Sequence, residues 1–383
     1  MQDSFFFDSS HERLYDQLAA FTQKHVAPRP AEPSREIEAS EARTIIRLLA
    51  DQQLLRYVVP KKFGGHSERI DVRSVCLIRE ALAYQSGLSD LMFAMQGLGS
   101  YPITLAGSEQ TKREFLPSVA DGSKIAAFAI TEPEAGSDVG ALSTIALRNG
   151  NQYFINGEKK FISNAGLADF YVVFAKTDTT LGNKGISAFV VDKDSPGLTI
   201  DSSLELIAPH PIGVLKLEDC RVSEARRLGD EGYGFKLAMR TLDTFRATVG
   251  AAAIGMARRA LDEAITYSRN RHQFGRPISE FQATQISLAE MATALDAARL
   301  LVYRAAWLAD TTDEKTTRES AMAKLATTES AQKIIDNAVQ IHGGNGLVKG
   351  ATVERLYREI RALRIYEGTS EIQKLVIAKT LFT

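Results

Sequence analysis

The sequence predicts a mainly helical α+β fold in three parts. These are an N-terminal helical domain at 1–123, a middle antiparallel β-barrel-like domain at 124–230, and a C-terminal four-helix-type bundle at 231–383. Before residue 123 and after residue 231, apolar residues recur at three- and four-residue steps, which is the period of an amphipathic helix. Between these parts, short apolar runs alternate with Asn-Gly and Pro-Gly pairs, which is typical of strands and turns.

In the first part, helical spacing predicts segments at 9–25, 38–55, 72–82 and 108–116. Ser9 or Ser10 could cap the first segment, since a hydroxyl can accept from a free backbone N–H. The last segment is expected to end at Pro117, because proline lacks the N–H that continues a helix. Arg79 falls within the otherwise apolar pattern of the third segment.

In the middle part, two Asn-Gly pairs predict tight turns, because both residues tolerate the positive φ angles of a hairpin. Asn149-Gly150 would join strands at 142–148 and 152–155, and Asn156-Gly157 would begin the next hairpin. Further strands are expected at 124–130, 170–176, 186–192 and 213–217.

In the third part, the long apolar faces predict an antiparallel bundle, and some of these faces could be buried between subunits. The last helix is expected to begin at Ser370, because Ser370 and Gln373 have the spacing of a capping box. Glu367 lies on the short turn before it, next to Gly368. Taken alone, this turn is more often an ordinary solvated loop.

The composition limits the possible functions. A chain of 383 residues with 44% hydrophobic residues can bury a large core. A net charge of -1 gives no general attraction to nucleic acid or to an anionic membrane. Two cysteines are too few for a disulfide framework, no apolar run could span a bilayer, and Phe5-Phe6-Phe7 is too short for a signal peptide. We therefore expect a cytoplasmic protein that binds neither nucleic acid nor membrane.

Several familiar sites are missing from the sequence. It has no G-x-G-x-x-G after a strand, no P-loop and no G-x-S-x-G elbow. The six histidines are scattered without metal-ligand spacing, so no metal site is predicted.

Two stretches of the middle part could carry chemistry. In 128–138, the amides and the hydroxyl of Gly136-Ser137 suit an anion or a ring edge. In 160–164, Phe161 and Ser163 are expected on one face of a strand. A plain polar turn and an ordinary cross-strand pair remain open as alternatives.

Two stretches of the third part could also carry chemistry. Segment 269–276 concentrates arginines beside Phe274, and an arginine fork matches a diphosphate. In 340–346, glycines after a helix allow close approach of a ligand. A solvated basic loop and a simple glycine cap remain open for these stretches.

Taken together and in this order, these stretches resemble the acyl-CoA dehydrogenase family. The matching motifs are Thr131-Glu132-Pro133 with Ala135-Gly136-Ser137-Asp138, Asn156-Gly157-Glu158-Lys159, and the segments 271–275, 340–346 and 366–373. Each motif is weak by itself, but the ordered set is specific and covers essentially the whole chain. The resemblance implies an FAD-containing homotetramer, assembled as a dimer of dimers.

The resemblance also implies roles for individual residues. The FAD-binding set would be Phe128, Ile130, Thr131, Gly136, Ser137, Phe161, Ser163, Arg271, Gln273, Phe274, Gln340, Gly343, Gly344, Thr369 and Glu371. Phe161, where tryptophan is commoner, would pack on the isoalloxazine, and Ser163, where threonine is commoner, would bond the nitrogen that accepts hydride. Residues 271–274 and 340–344 would reach the FAD of a neighbouring subunit. The substrate would be bound by Ser137, Asp243, Arg246, Tyr366 and Gly368.

The resemblance implies that Glu367 is the catalytic base. It would remove the α-proton of an acyl thioester while hydride leaves the β-carbon, giving a trans-2-enoyl thioester, and the electrons would pass to an electron-transferring flavoprotein. A weakly acidic α-proton requires a nearby base whose pKa is raised by exclusion of water. Some family members carry the base one residue before the equivalent of Arg246, where this chain has Phe245, which cannot accept a proton.

One departure from the family leaves the substrate open. Where the family often has an Arg-x-Ser element, residues 207–213 contain Pro209 and Pro211 and no arginine. A short, branched or polar acyl group, on CoA or on an acyl-carrier protein, is therefore possible. Two other classes also remain open: an oxygen-using flavin oxidase or monooxygenase-like relative, which Glu367 disfavours, and a non-catalytic flavin-bound binding protein, which the weak net charge disfavours.

Overall fold

The computed structural model describes residues 5–382, so the ends of the predicted terminal domains, 1–4 and 383, lie outside the described residues. The helices are α1 (Ser9–Phe21), α2 (Arg35–Asp51), α3 (Val72–Gln85), α4 (Gly87–Ala106), α5 (Glu109–Ala120), α6 (Gly234–Asn270), α7 (Gln282–Thr311), α8 (Thr317–His342), α9 (Thr352–Leu363) and α10 (Ser370–Leu381). The strands are β1 (Ala126–Ala129), β2 (Ile145–Asn149), β3 (Gln152–Ser163), β4 (Phe170–Lys176), β5 (Ile186–Asp192), β6 (Leu198–Ser203), β7 (Ile212–Ser223), β8 (His272–Gln273) and β9 (Arg276–Pro277). The predicted mainly helical α+β class is confirmed.

The chain forms two compact units. The first, here called the helical unit, consists of the described parts of Met1–Glu32, Val72–Asp90 and Asp243–Thr383. The second, here called the sheet unit, consists of Pro33–Asp71 and Leu91–Leu242. The three-domain division derived from the sequence stays a prediction.

The core of the helical unit lies between α3, α6, α7, α8 and α9. Many of its residues are alanines, and small side chains allow helices to pack at short distances. The alanines of this core that lie on α6 are Ala252, Ala253, Ala257, Ala260 and Ala264. Larger side chains such as Met256, Ile335 and Leu356 fill the space between the helices.

The sheet unit is built on one sheet in the order β1-β4-β2-β3-β7-β6, with β5 also paired to β4. The β2/β3, β3/β7, β4/β5 and β6/β7 pairings are antiparallel, as predicted. Two pairings, β1 with β4 and β2 with β4, are parallel. Sequence periodicity shows that a strand exists but does not give the direction of its partner.

Several predicted element boundaries are wrong for local reasons. The cap of α1 is Asp8, whose carboxylate accepts from the Ser10 N–H at 2.8 Å, so Ser9 and Ser10 lie inside the helix. Helix α5 continues past Pro117 to Ala120. The Asn156-Gly157 pair does not begin a hairpin but lies within β3, at a register shift against β7.

Helix α4 and strand β6 were not predicted from the sequence, and neither were the two-residue strands β8 and β9. Helix α4 has too few polar residues to show an amphipathic period. Strand β6 is mostly exposed and lacks an apolar face, so only the preceding Pro196-Gly197 turn indicated it. In the part of the chain that the structure describes, no helix is both long and apolar enough to cross a membrane.

Candidate active site

The turn between α9 and α10 is fixed at both ends. The Ser370 N–H donates to the Arg364 carbonyl at 3.1 Å. The Arg364 guanidinium donates to both oxygens of Glu329 at 2.8 and 2.9 Å, and the Ser370 hydroxyl donates to Glu329 Oε1 at 2.6 Å. Residues 365–369 are therefore held between two anchored points.

The cap of α10 is one residue earlier than predicted. The Thr369 side chain accepts from the Ile372 N–H at 3.3 Å, so Thr369 rather than Ser370 caps the helix. Gln373 does not complete a capping box. Its Nε2 donates to the carbonyls of Gly368 at 2.9 Å and Glu367 at 3.3 Å. The sequence has two adjacent hydroxyl residues that could cap the helix. Thr369 is the cap, while the Ser370 hydroxyl donates to Glu329 instead.

Glu367 adopts a backbone conformation that is rare for its residue type. Its φ is 53°, in the left-handed region. Its Oε2 is buried and accepts no hydrogen bond from the described residues. Strained backbone and an unsatisfied buried carboxylate persist only where surrounding contacts impose them, and both are concentrated at functional sites.

Charged side chains from four helices surround Glu367. Burial raises the pKa of Glu367, while the positive charges of Arg79, Lys324 and Arg246 oppose this rise. The negative charge of Asp90 raises the pKa of Glu367 further. The carboxylate is thus a stronger base than in water, yet it has cations near it that favour its ionised form.

Arg79 and Asp90 form a fully buried ion pair beside the turn. Arg79 donates from Nε and Nη2 to the two Asp90 oxygens, both at 2.8 Å, and from Nη1 to Thr248 Oγ1 at 2.9 Å. The Tyr366 hydroxyl lies next to this guanidinium, and burial raises the pKa of Tyr366, so its phenol stays neutral.

Arg246 and Asp243, both predicted to bind substrate, are paired on α6. Arg246 Nη1 donates to Asp243 Oδ1, and the Thr317 hydroxyl donates to Asp243 Oδ2 at 2.9 Å. Arg246 is 5% exposed, and its Nε has no partner among the described residues. One donor of a buried guanidinium therefore remains available.

In the sheet unit, the predicted flavin loop follows β1 and is anchored by Glu132. Its carboxylate is buried and accepts from the N–H and hydroxyl groups of Ser143 and Thr144 and from Lys159 Nζ at 2.7 Å. Gly136 and Ser137 are exposed, and a Cβ built on Gly136 would meet no atom within 4 Å. The loop therefore leaves an open backbone face.

The first two stretches singled out from the sequence meet in this unit. The Lys160 N–H donates to the Thr131 carbonyl at 2.9 Å. Phe161 has a φ of 57° at a register shift of β3, so the regular alternation on which its pairing with Ser163 was predicted is broken. Its ring is 52% exposed. Phe128 is buried against Phe174 at a centroid distance of 4.9 Å, which leaves its backbone rather than its ring for any ligand.

Ser163 has a partner from the stretch that departs from the family. Its hydroxyl lies 2.7 Å from His210 Nε2. Burial lowers the pKa of His210 to about 4, so the imidazole is neutral at pH 7. Ile130, which directly precedes Thr131, is buried in the core of the sheet unit.

The other two stretches meet in the helical unit. Arg271, Gln273 and Phe274 are exposed on the small β8/β9 hairpin, where Phe274 is 93% exposed. The rings of Tyr267 and His342 stack at 4.3 Å, and Asn345 Nδ2 donates to the Tyr267 hydroxyl at 2.9 Å. The hairpin therefore lies near the glycine segment that follows α8. In that segment Gly343 and Gly344 are open, since a Cβ on either would meet nothing within 4 Å.

The remaining predicted residues are placed as follows. Gln340 is exposed on the last turn of α8, and Glu371 is exposed on the first turn of α10. Gly368 follows Glu367 with a φ of 89°. Within the residues 5–382, no group of three or more His, Cys, Asp or Glu side chains is placed to hold a metal ion.

The chain matches three models of one family along its length. These are "Acyl-CoA dehydrogenase, N-terminal domain" at residues 8–123, the middle domain at 127–220 and the C-terminal domain at 232–382. It is 39% identical to a 3-(aryl)acrylate reductase of Clostridium sporogenes over 98% of this chain and 99% of that protein. It is 42% identical to the caffeyl-CoA reductase–Etf complex subunit CarC of Acetobacterium woodii over 84% of this chain and 85% of that protein.

A solved structure shows the same fold. Butyryl-CoA dehydrogenase of Megasphaera elsdenii is 34% identical, with a TM-score of 0.91 over 98% of this chain and 99% of that one. The chain belongs to the acyl-CoA dehydrogenase family. It is an oxidoreductase that acts on CH–CH bonds, and the resemblance drawn from its motifs is confirmed.

Proposed function

We propose that this protein uses FAD to dehydrogenate an acyl thioester and that Glu367 is its catalytic base. The observation that supports this most directly is the unpartnered, buried Oε2 of Glu367 on a strained turn. A base needs a free lone pair and a raised pKa, and the position of Glu367 supplies both.

The residues of the chain fit an FAD molecule. In the sheet unit, Gly136 offers open backbone, and Ser137 and Phe161 offer exposed polar and aromatic groups. In the helical unit, Gly343 and Gly344 offer open backbone, and Arg271 offers an exposed cation. The full set proposed to bind FAD is the one implied by the resemblance, from Phe128 to Glu371. When bound, FAD supplies an acceptor for the hydride that leaves the β-carbon.

The proposed reaction places a proton on Glu367. Its Oε2 takes the α-proton of the thioester, since no group in residues 5–382 donates a hydrogen bond to that oxygen. Burial excludes water and raises the pKa, so the carboxylate accepts the proton more readily than a solvated one would. Arg246, whose Nε has no partner among the described residues, would orient the ligand with Asp243, Tyr366 and Gly368 of the helical unit. Ser137 of the sheet unit is proposed as a ligand contact on the family resemblance alone.

The same groups can serve the reverse reaction. In that direction Glu367 donates a proton to the α-carbon of an α,β-unsaturated thioester. The similarity to a 3-(aryl)acrylate reductase and to a caffeyl-CoA reductase subunit favours testing this direction alongside the oxidation. The subunit name that includes Etf also supports an electron-transferring flavoprotein as the redox partner. We further propose a cytoplasmic dimer of dimers in which Arg271, Gln273, Phe274 and Gln340 serve a neighbour's FAD.

The proposal is tested with Glu367→Gln, which keeps the shape of the side chain and removes the base. Glu36→Gln, an exposed carboxylate on α2, is the matched control. Flavin absorbance is followed anaerobically with a panel of saturated acyl-CoAs, and oxidation of the pre-reduced flavin with their unsaturated counterparts. We expect Glu367→Gln to slow both directions by roughly 10²–10⁴-fold while FAD and ligand still bind.

The control should behave like the wild type. If Glu367→Gln reduces its flavin within about threefold of the wild-type rate, Glu367 is not the base. If no thioester of the panel, on CoA or on a carrier protein, changes the flavin spectrum, an acyl-thioester substrate is excluded.

A further inference from the structure

Lys324 is a fully buried lysine whose side chain ends at the Glu367 turn. It lies on α8 and is 0% exposed. Its Nζ donates to the Tyr366 carbonyl at 2.9 Å and to the Gly368 carbonyl at 2.5 Å. Among the described residues, no carboxylate lies within ion-pair distance of it. The two carbonyls that satisfy this ammonium are thus those on either side of Glu367.

These hydrogen bonds act on the strained part of the turn. A left-handed φ at a glutamate costs on the order of 1 kcal/mol or more and requires support from its surroundings. Gln373, also fully buried, donates to the Glu367 and Gly368 carbonyls. Lys324 and Gln373 together therefore hold three successive carbonyls, at residues 366, 367 and 368.

Satisfying carbonyls does not by itself require a lysine. Gln373 does so with a neutral amide, whereas a buried ammonium loses its hydration, and burial lowers the pKa of Lys324 to about 8. A charged donor is the more costly choice at this position. The charge of Lys324 adds an electrostatic attraction to the Glu367 carboxylate. The negative charge of Glu367 in turn stabilises the ammonium.

We propose that Lys324 is a positioning residue for the catalytic base: it fixes the carbonyls on both sides of Glu367 and supplies a cation that favours the carboxylate form. This inference rests on the proposed function of Glu367. The charged and titratable groups that face Glu367 are Arg79, Asp90, Arg246, Lys324 and Tyr366.

The test compares Lys324→Met with Lys333→Met, an exposed lysine on the same helix. FAD content and thermal unfolding establish that each holoenzyme is folded. Anaerobic flavin reduction by the best thioester is then measured between pH 5 and pH 9. Misplacement of a base can cost up to roughly 10²-fold, so we expect kcat to fall about 10- to 100-fold while KM changes little.

The pH profile separates positioning from a merely structural role. Loss of the cation disfavours the carboxylate, so the pH at which the rate rises should move upward by about one unit in Lys324→Met. Lys333→Met should show the wild-type profile. If Lys324→Met does not fold, Lys324→Gln, which keeps a donor and drops the charge, must show the same upward shift.

Two outcomes would overturn the inference. One is a folded Lys324→Met enzyme with the wild-type rate and profile. The other is a further fall in rate when Lys324→Met is added to Glu367→Gln, since a residue that acts only through Glu367 cannot lower the rate after its loss. If Glu367→Gln itself keeps the wild-type rate, the proposed function fails, whatever the lysine variants show.

Discussion

Replacement of Glu132 by glutamine should destabilise the sheet unit strongly. Glu132 Oε2 accepts from Ser143, at 2.5 Å from N and 2.8 Å from Oγ, and its Oε1 accepts from Thr144 and Lys159. An amide would point two N–H groups at groups that are already donors. It would also remove the negative charge that pairs with the buried Lys159 ammonium, whose other acceptor is the Ile130 carbonyl at 3.3 Å. Breaking one side of a buried ion pair costs about 3–5 kcal/mol.

The matched variant is Lys159→Met. It should lower the free energy of unfolding by less than Glu132→Gln does. Glu132 then keeps four donors from Ser143 and Thr144, and the loss resembles that of one charge-assisted hydrogen bond, about 1.5–3 kcal/mol. Burial also lowers the pKa of Lys159 to about 8 despite the attraction of Glu132, so the lysine is the less favourable partner to bury. The double variant should be more stable than Glu132→Gln alone, because it removes the unpaired ammonium.

Urea-induced unfolding of the three variants, followed by far-ultraviolet circular dichroism, checks this order. The reasoning is refuted if Lys159→Met is at least as unstable as Glu132→Gln, or if the double variant is the least stable. The pH dependence has a definite sign. Burial would raise the pKa of Glu132, but Lys159 and the other donors lower it to about 2. The stabilisation is therefore present above the ordinary value of 4.5 and is lost as the pH falls towards 2.

Three further predictions concern single residues. Gly157→Ala places a Cβ 2.4 Å from Thr144 Oγ1 and should lower stability by about 1–3 kcal/mol in urea unfolding. Gly150→Ala meets open space and should cost only the strain of its left-handed φ of 61°, about 1 kcal/mol, so equal losses would contradict the close approach. The neutral, half-buried His210 should cause stability to fall as the pH drops from 6.5 to about 4, because only the unfolded state binds the proton there. Thermal unfolding of His210→Gln should show a smaller fall in this window. Arg271→Ala should weaken FAD retention by on the order of 2 kcal/mol, measured by flavin release on dilution, and a monomer in sedimentation that keeps its FAD would contradict the shared site.

The sequence predicted the fold class and the family, because repeated periods and ordered motifs are local properties of the chain. It placed Glu367 on a turn before the last helix, which the structure confirms. It did not reveal the charges that surround Glu367, because Arg79, Asp90 and Lys324 are all far from Glu367 in sequence. A signal was nevertheless present: Arg79 and Lys324 interrupt apolar faces of helices, and a buried charge is seldom placed there without a partner.

The predictions for the hairpin at Asn156-Gly157 and the alternation at Phe161 were wrong for a different reason. Positive φ angles at Gly157 and Phe161 lie at the two register shifts of β3 against β7, and a register shift depends on the partner strand, which periodicity does not show. An Asn-Gly pair predicts a turn only if the chain has room to reverse. At Gly157 the absent side chain instead makes space for Thr144.

The conformation of Glu367 has a consequence for enzyme engineering. A glutamate in the left-handed region with an unsatisfied buried oxygen makes the native state less stable than it could be. Stabilising screens that do not select for turnover should therefore favour replacements such as Asn at this position, since Asn tolerates that conformation and is easier to bury. Thermostability and activity are expected to oppose each other at this residue, so a heat-resistant variant altered there should be an inactive one.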